Sequence, residues 1–245
     1  MPSIRYLHIR FDQNIFPYEI HRFRAAVIEK TRRIAPWFHN HQDDGKSIYR
    51  YPLIQYKVAF KKASILCLHE AVEEIHHLFS QPDLELTVGP NRQEYTVEKL
   101  VANRFNANVW EHSFDYSLLN WLALNQHHYK RWEALSENPT EQIKLLQSIL
   151  TGNILAFAKG IGWFVEKPIE VEITDIKTIK PLPFKGRDML AFTLNFKSNV
   201  SLPNYIGLGK GASVGFGVVK RIRTIRENSN FEIINCENGK DNLHM

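Results

Sequence analysis

The run Ala35-Pro36-Trp37-Phe38-His39-Asn40-His41 places two imidazoles one residue apart. In an extended segment alternate side chains point the same way, so both rings would face one side. Imidazole titrates near pH ~6.5 and can take or give a proton at neutral pH. A positioned acid or base contributes about 10²–10⁴ in rate. Lys46 lies close by in sequence and could stabilise negative charge developing on a substrate. The remaining histidines carry less. His76 and His77 belong to the polar face of an amphipathic helix, His127 and His128 to an aromatic-rich surface stretch, and His8 to the polar side of a strand. Asp43-Asp44 is the one carboxylate pair near His39 and His41. Cys67 and Cys236 are too far apart in sequence for a clustered thiolate site. No metal and no cofactor is expected.

The second candidate for chemistry is glycine-rich: Gly207-Leu208-Gly209-Lys210-Gly211-Ala212-Ser213-Val214-Gly215-Phe216-Gly217. Five glycines in eleven residues, just ahead of a strand, permit positive φ and close approach of backbone to a ligand. Main-chain N–H groups can then converge on phosphate oxygens. Lys210 inside the run, and Lys220, Arg221 and Arg223 after it, add positive charge. The ATP-binding G-x-x-x-x-G-K-[ST] loop is not matched, because Gly211 follows Lys210. Gly207, Gly209 and Ala212 satisfy the looser dinucleotide fingerprint, but that motif opens a helix in a βαβ unit and this run leads into a strand. A tight turn or bulge would use one or two glycines; five with flanking cations fit that reading less well.

Charge points the same way. Lysine plus arginine exceed aspartate plus glutamate by 31 to 26, and the excess is clustered. Arg22, Arg24, Lys30, Arg32 and Arg33 crowd one early segment; Lys220, Arg221, Arg223 and Arg226 crowd a late one. Such clusters favour a polyanionic partner, since each neutralised phosphate releases a counterion, although either alone could be a solvated helix face. No apolar stretch is long enough to cross a bilayer, and the first residues lack a secretory design, so a cytoplasmic protein without membrane association is expected.

Elements must position these groups. Ile4 to Phe11 alternates as a half-buried strand, and Tyr18 to about Arg33 has helical spacing at Ile20, Phe23 and Val27. An irregular piece from Ala35 to Ser47 holds the histidines. Ile54 to Phe60 and Ser64 to Leu68 read as strands, Leu68 to Phe79 as an amphipathic helix, and Leu84 to Val88 as another strand. That order is β-α-β-β-α-β, the ferredoxin-like arrangement. The second half repeats it less cleanly. Phe114 to Leu124 reads as extended, with helix left open by its leucines, and Asn138-Pro139-Thr140-Glu141 reads as a helix start. Val171 to Ile176, Leu190 to Phe196 and Phe216 to Ile222 supply strands. The expected fold class is α+β: two tandem ferredoxin-like domains, residues 1–108 and 109–226, with a C-terminal glycine-rich loop and a polar tail over 227–245.

Gly207-Leu208-Gly209 and Gly215-Phe216-Gly217, five residues apart with a lysine between them, resemble the signature of the RAMP superfamily of repeat-associated RNA-binding proteins. Within it the chain is most similar to the sixth Cas family, endoribonucleases that cut CRISPR precursor RNA within each repeat. The resemblance implies tandem ferredoxin-like halves, CRISPR repeat RNA as partner, and a general acid or base histidine after the first helix, helped by a lysine and a tyrosine. His39 and His41 match that position; Lys46, Tyr49 and Tyr51 are the nearby helpers. Gly207, Gly209, Lys210, Gly211, Gly215, Gly217, Lys220, Arg221 and Arg223, with Arg22 and Arg24, are the expected RNA contacts.

The chemistry implied needs no metal. The 2′-hydroxyl of RNA attacks the adjacent phosphate, leaving a 2′,3′-cyclic phosphate and a 5′-hydroxyl; one group takes the 2′ proton and another protonates the leaving oxygen. Two histidines could share these tasks, or one could merely hold the RNA. Trp37, Phe38, Tyr49 and Tyr51 could stack on unpaired bases. The alternative expectation is a non-catalytic RNA-binding subunit of an effector complex, with other Cas subunits as partners. A homodimer is a further partner considered.

Overall fold

The computed structural model describes residues 3–31 and 51–222. His39, His41, Lys46, Tyr49, Arg223 and the tail over 227–245 lie outside the described residues.

The first half opens with β1 (Ser3–Asn14), a 3₁₀ turn over Pro17–Glu19, and α1 (Ile20–Lys30). It continues through β2 (Ile54–Ala59), β3 (Lys62–Leu68), α2 (Ala71–Glu74), α3 (His76–Phe79), β4 (Glu85–Val88), β5 (Asn91–Glu94) and β6 (Val97–Asn106). Four strands form an antiparallel sheet in the order β2-β3-β1-β6. α1 buries Ile20, Phe23, Ala26 and Val27. The Phe23 ring meets Phe11 of β1 and Tyr56 of β2, each at 5.9 Å, so one sheet face is closed by the helix. The opposite face carries Tyr6, His8 and Arg10 and looks toward the second half.

Three sequence expectations change here. The fourth strand of this sheet is β6, not the Leu84–Val88 segment, whose strand β4 pairs instead with β5 in a separate hairpin. β6 is an edge strand that buries none of its residues, so no alternation marks it. The helix expected over Leu68–Phe79 is two short pieces. Leu68 is held in β3 opposite Tyr6, and His69 has a positive φ of 51° that ends the strand. Phe60, expected on the apolar side of a strand, instead sits in the two-residue turn between β2 and β3, where Phe60 and Lys61 both have positive φ.

The second half contains β7 (Val109–Trp121), α4 (Gln126–Ala134), α5 (Pro139–Gly160), β8 (Val171–Phe184), β9 (Arg187–Val200) and β10 (Val218–Arg221). Its sheet runs β10-β7-β9-β8. With strands counted within each half, both sheets have the order 4-1-3-2 of a ferredoxin-like unit. β7 is extended, which resolves the helix alternative. α5 begins as its sequence predicts, with Asn138 Oδ1 accepting the Glu141 N–H at 3.2 Å. It packs Leu146, Ile149, Leu150, Ile154 and Phe157 into the core. The second helix of the unit is replaced, between β9 and β10, by residues 201–217. No helix among the described residues is long and apolar enough to cross a membrane.

Candidate nucleic-acid interface

The glycine-rich segment takes the place of that helix and is bonded to both halves. The Tyr56 N–H donates to the Ser213 carbonyl at 2.8 Å, and Tyr56 and Val214 form a short parallel bridge, extending the β2 edge of the first sheet. Lys210 bridges Leu122 and Gly207 bridges Val218, both antiparallel. Above the sheet face, Tyr51 donates its hydroxyl to the Gly207 carbonyl at 2.8 Å. Gln55 donates to Tyr51 Oη at 2.9 Å and accepts the Gly207 N–H at 2.8 Å. Tyr6 donates to the Asn204 carbonyl at 3.0 Å, and Lys57 Nζ donates to the Ala212 carbonyl at 3.3 Å.

The glycines admit protein atoms. A Cβ on Gly217 would fall 1.9 Å from the Leu208 carbonyl oxygen. One on Gly209, at φ 77°, would fall 2.7 Å from Asn153 Oδ1 and Trp121 Nε1, which are themselves hydrogen-bonded at 2.9 Å. Gly207 and Gly211 are crowded in the same way by Ala212 and Phe216. Gly215 is the open one, its nearest neighbour being the Tyr56 carbonyl oxygen at 3.9 Å. Intramolecular packing therefore accounts for four of the five glycines in this run, and the backbone approach to phosphate foreseen from sequence has most room at Gly215.

The cations are distributed unevenly. Lys210 and Lys220 are exposed, with Lys210 Nζ 3.8 Å from Met189 Sδ and Lys220 Nζ 5.9 Å over the Tyr205 ring. Arg221 lies 4.3 Å over the Phe114 ring, and its N–H donates to Asn204 Oδ1 at 2.7 Å. None of the three has an ion-pair partner among the described residues, so their charge is available to an anion. Arg24 is half-buried on α1, close enough to Tyr56 to act on it electrostatically. Arg22 lies against Gly89 of the β4–β5 hairpin.

One buried basic residue, Lys57, escapes the sequence reading, and His8, read there on the polar side of its strand, is half-buried. Lys57 is 1% exposed, and burial brings its pKa down to about 7. His8 is brought down to about 4 by burial first, then by the positive charges of Lys57 and Arg10. Its ring lies 5.0 Å from that of Tyr205, and its Nε2 has no hydrogen-bond partner among the described residues. The only sequence signal was the polar phase of β2, in which Gln55 and Lys57 alternate with Ile54, Tyr56 and Val58. Tyr51, a candidate helper by position, is buried. Burial pushes its pKa up, and its hydroxyl is committed to Gly207 and Gln55, which makes it a structural bridge. Among the described residues no three His, Cys, Asp or Glu side chains converge to hold a metal ion.

Comparison with known proteins supports this arrangement. The fold resembles a crystal structure of Cas6b, with TM-score 0.82 and 23% identity, covering 90% of this chain and 100% of that one. It also resembles a crystal structure of the CRISPR RNA processing endoribonuclease Cas6b, with TM-score 0.68 and 20% identity at 90% and 100% coverage. Csf5, described as a type IV Cas6 crRNA endonuclease, matches with TM-score 0.61 and 11% identity over 91% of this chain and 100% of that one. An uncharacterized protein of Methanocaldococcus jannaschii is 32% identical over 115 residues, which cover 46% of this chain and 76% of the relative. Residues 2–106 match the Cas6b N-terminal domain and residues 108–222 match the Cas6b C-terminal domain. With both halves matched in order, the chain belongs to the Cas6b family.

Proposed function

We propose that this protein is a metal-independent endoribonuclease that binds CRISPR repeat RNA and cuts the precursor transcript within each repeat. The observation that carries the reading is the joining of the two candidate functional segments through Tyr51. The segment bearing His39 and His41 runs into Tyr51, and the Tyr51 hydroxyl is bonded to Gly207 of the glycine-rich loop. RNA held at Gly215, Lys210, Lys220 and Arg221 would thus lie on the loop to which Tyr51, ten residues after His41 in sequence, is bonded. The names of the similar structures, which describe CRISPR RNA processing, support the same substrate.

In the reaction, His39 and His41 divide two tasks: removing the 2′-hydroxyl proton and protonating the leaving 5′ oxygen. Lys46 balances charge on the phosphorane, and Tyr49 is a further helper. The products are a 2′,3′-cyclic phosphate and a 5′-hydroxyl. The chain is read as two domains, residues 1–108 and 109–226.

The test is cleavage of a labelled repeat in EDTA by the wild type and by His39→Ala and His41→Ala. The expected result is a cyclic-phosphate product from the wild type and a loss of about 10²–10⁴ in rate in either variant, with binding retained. Tight binding without any cut would instead make the protein an RNA-holding subunit.

A further inference from the structure

We propose that the tip of the β2–β3 hairpin is a stacking site for an unpaired base of the RNA held by the glycine-rich loop; this rests on the RNA-processing reading above. The hairpin turns through two residues, Phe60 and Lys61, with Ala59 and Lys62 paired across it. Both turn residues are left-handed, with φ of 54° and 64°. Such turns favour Asn-Gly, which adopts this backbone without strain. A bulky aromatic at this position is an outlier that the turn itself does not require, so its side chain is the feature to be explained.

That side chain is 72% exposed. The Arg10 guanidinium lies 4.9 Å from the ring centroid, held there by an ion pair with Glu98 at 2.8 Å. Lys61 at the tip, and Lys99 paired beside Arg10 on β6, have no ion-pair partner among the described residues. With Arg10 over one face of the ring, the other face is left to solvent. An open aromatic face among cations is the arrangement that holds single-stranded nucleic acid, with the base on the ring and the backbone on the charges. This charge complementarity favours a polyanion over an apolar protein partner. The same end of the sheet presents a second exposed pair, Phe16 and Tyr18, stacked at 5.4 Å and 5°. The Ile15 N–H ties that turn to the Lys61 carbonyl at 2.9 Å.

The register connects this tip to the glycine-rich loop. Lys57 pairs with Ser64, Ser64 with Arg10, and Arg10 with Lys99. Directly paired residues share a sheet face, so these four form one row. Lys57 in that row touches Ala212 of the loop. Phe60 is three residues further along, about 10 Å at ~3.3 Å per residue. That is about three bases at ~3.4 Å each, a span that one strand can cover.

The experiment places 2-aminopurine at successive single-stranded positions of the repeat RNA and compares the wild type with a Phe60→Asn/Lys61→Gly double variant. Asn-Gly suits the turn, so the variant should melt at or above the wild-type temperature. The expected result is fluorescence quenching at one or two adjacent positions in the wild type, its loss in the variant, and a Kd for the repeat raised about tenfold. Phe60→Trp should keep the quenching and the affinity. Unchanged quenching and Kd in the folded double variant, with the wild type binding and cutting normally, would overturn the stacking site alone. A wild type that neither binds nor cuts the repeat would overturn the functional reading and this inference with it.

Discussion

The Tyr51 hydroxyl donates to the carbonyl oxygen of Gly207, 156 residues away, at 2.8 Å in a buried setting. Gln55 completes the arrangement by accepting the N–H of the same glycine. Both backbone polar groups of Gly207 are thus satisfied by side chains of the other half of the molecule. A buried peptide unit without such partners would be destabilising. This pair and the β-bridge at Val214 give the glycine-rich loop one fixed seat on β2.

Tyr51→Phe should keep the ring packing on Phe157, at 5.2 Å, and lose only the hydroxyl. A cost of about 1 kcal/mol is expected, read as a lower urea midpoint at constant slope. Gln55→Leu leaves the Gly207 N–H without its acceptor and should cost more, about 1–3 kcal/mol.

Gly217→Ala places a Cβ 1.9 Å from a backbone oxygen, and that oxygen cannot rotate away. The protein should lose more than about 4 kcal/mol or fail to accumulate as soluble material. Gly186→Ala is the control. Its φ is 73° with nothing within 4 Å, so only backbone strain of about 1–2 kcal/mol applies. Equal melting temperatures for the two variants would contradict the packing described.

Lys57 binds a proton less readily in the folded state, near pH 7, than in the unfolded chain, near 10.5. Between those values the unfolded state carries more protons, so stability should rise with pH across the window and level off below about 7. Lys57→Met should flatten the rise in a series of chemical melts from pH 7 upward.

His8 acts in a separate window by the same sign. Its folded value near 4 lies below its usual 6.5. Stability contributed by keeping this ring neutral is present above pH 6.5 and is lost as pH falls toward 4. His8→Phe should weaken the pH dependence in that interval, measured by thermal melts at matched ionic strength.

Lys210 and Lys220 are exposed and unpaired among the described residues. If each meets one phosphate, Lys210→Ala and Lys220→Ala should each reduce the slope of log K against log salt for repeat RNA by about 1. The Lys144→Ala control, on the exposed face of α5 and paired with Glu141, should leave the slope unchanged.

The sequence by itself determined the elements with a regular apolar pattern. β1, α1, α5 and the inner parts of β8 and β9 could be read because burial on one side imposes a period of two or 3.6. β2 could be read because the face covered by the loop is polar, and β3 because it is a short apolar run. The Asn138 cap was legible because its chemistry is local. The glycine-rich run stood out by composition, and with it the family. Elements exposed on both sides were lost. β6 buries nothing, α4 buries nothing, and the outer half of β8 is almost wholly exposed, so no apolar period recorded them. Only the tertiary structure decided what the polar phase of β2 faces. Gln55 and Lys57 have the pattern of solvated residues, yet they are covered by a segment about 150 residues later. It also decided that Tyr51 is a bridge and that most of the glycines serve packing within the protein. Such contacts join residues remote in the chain, and a local pattern records which side of an element is apolar but not what comes to lie on the other side.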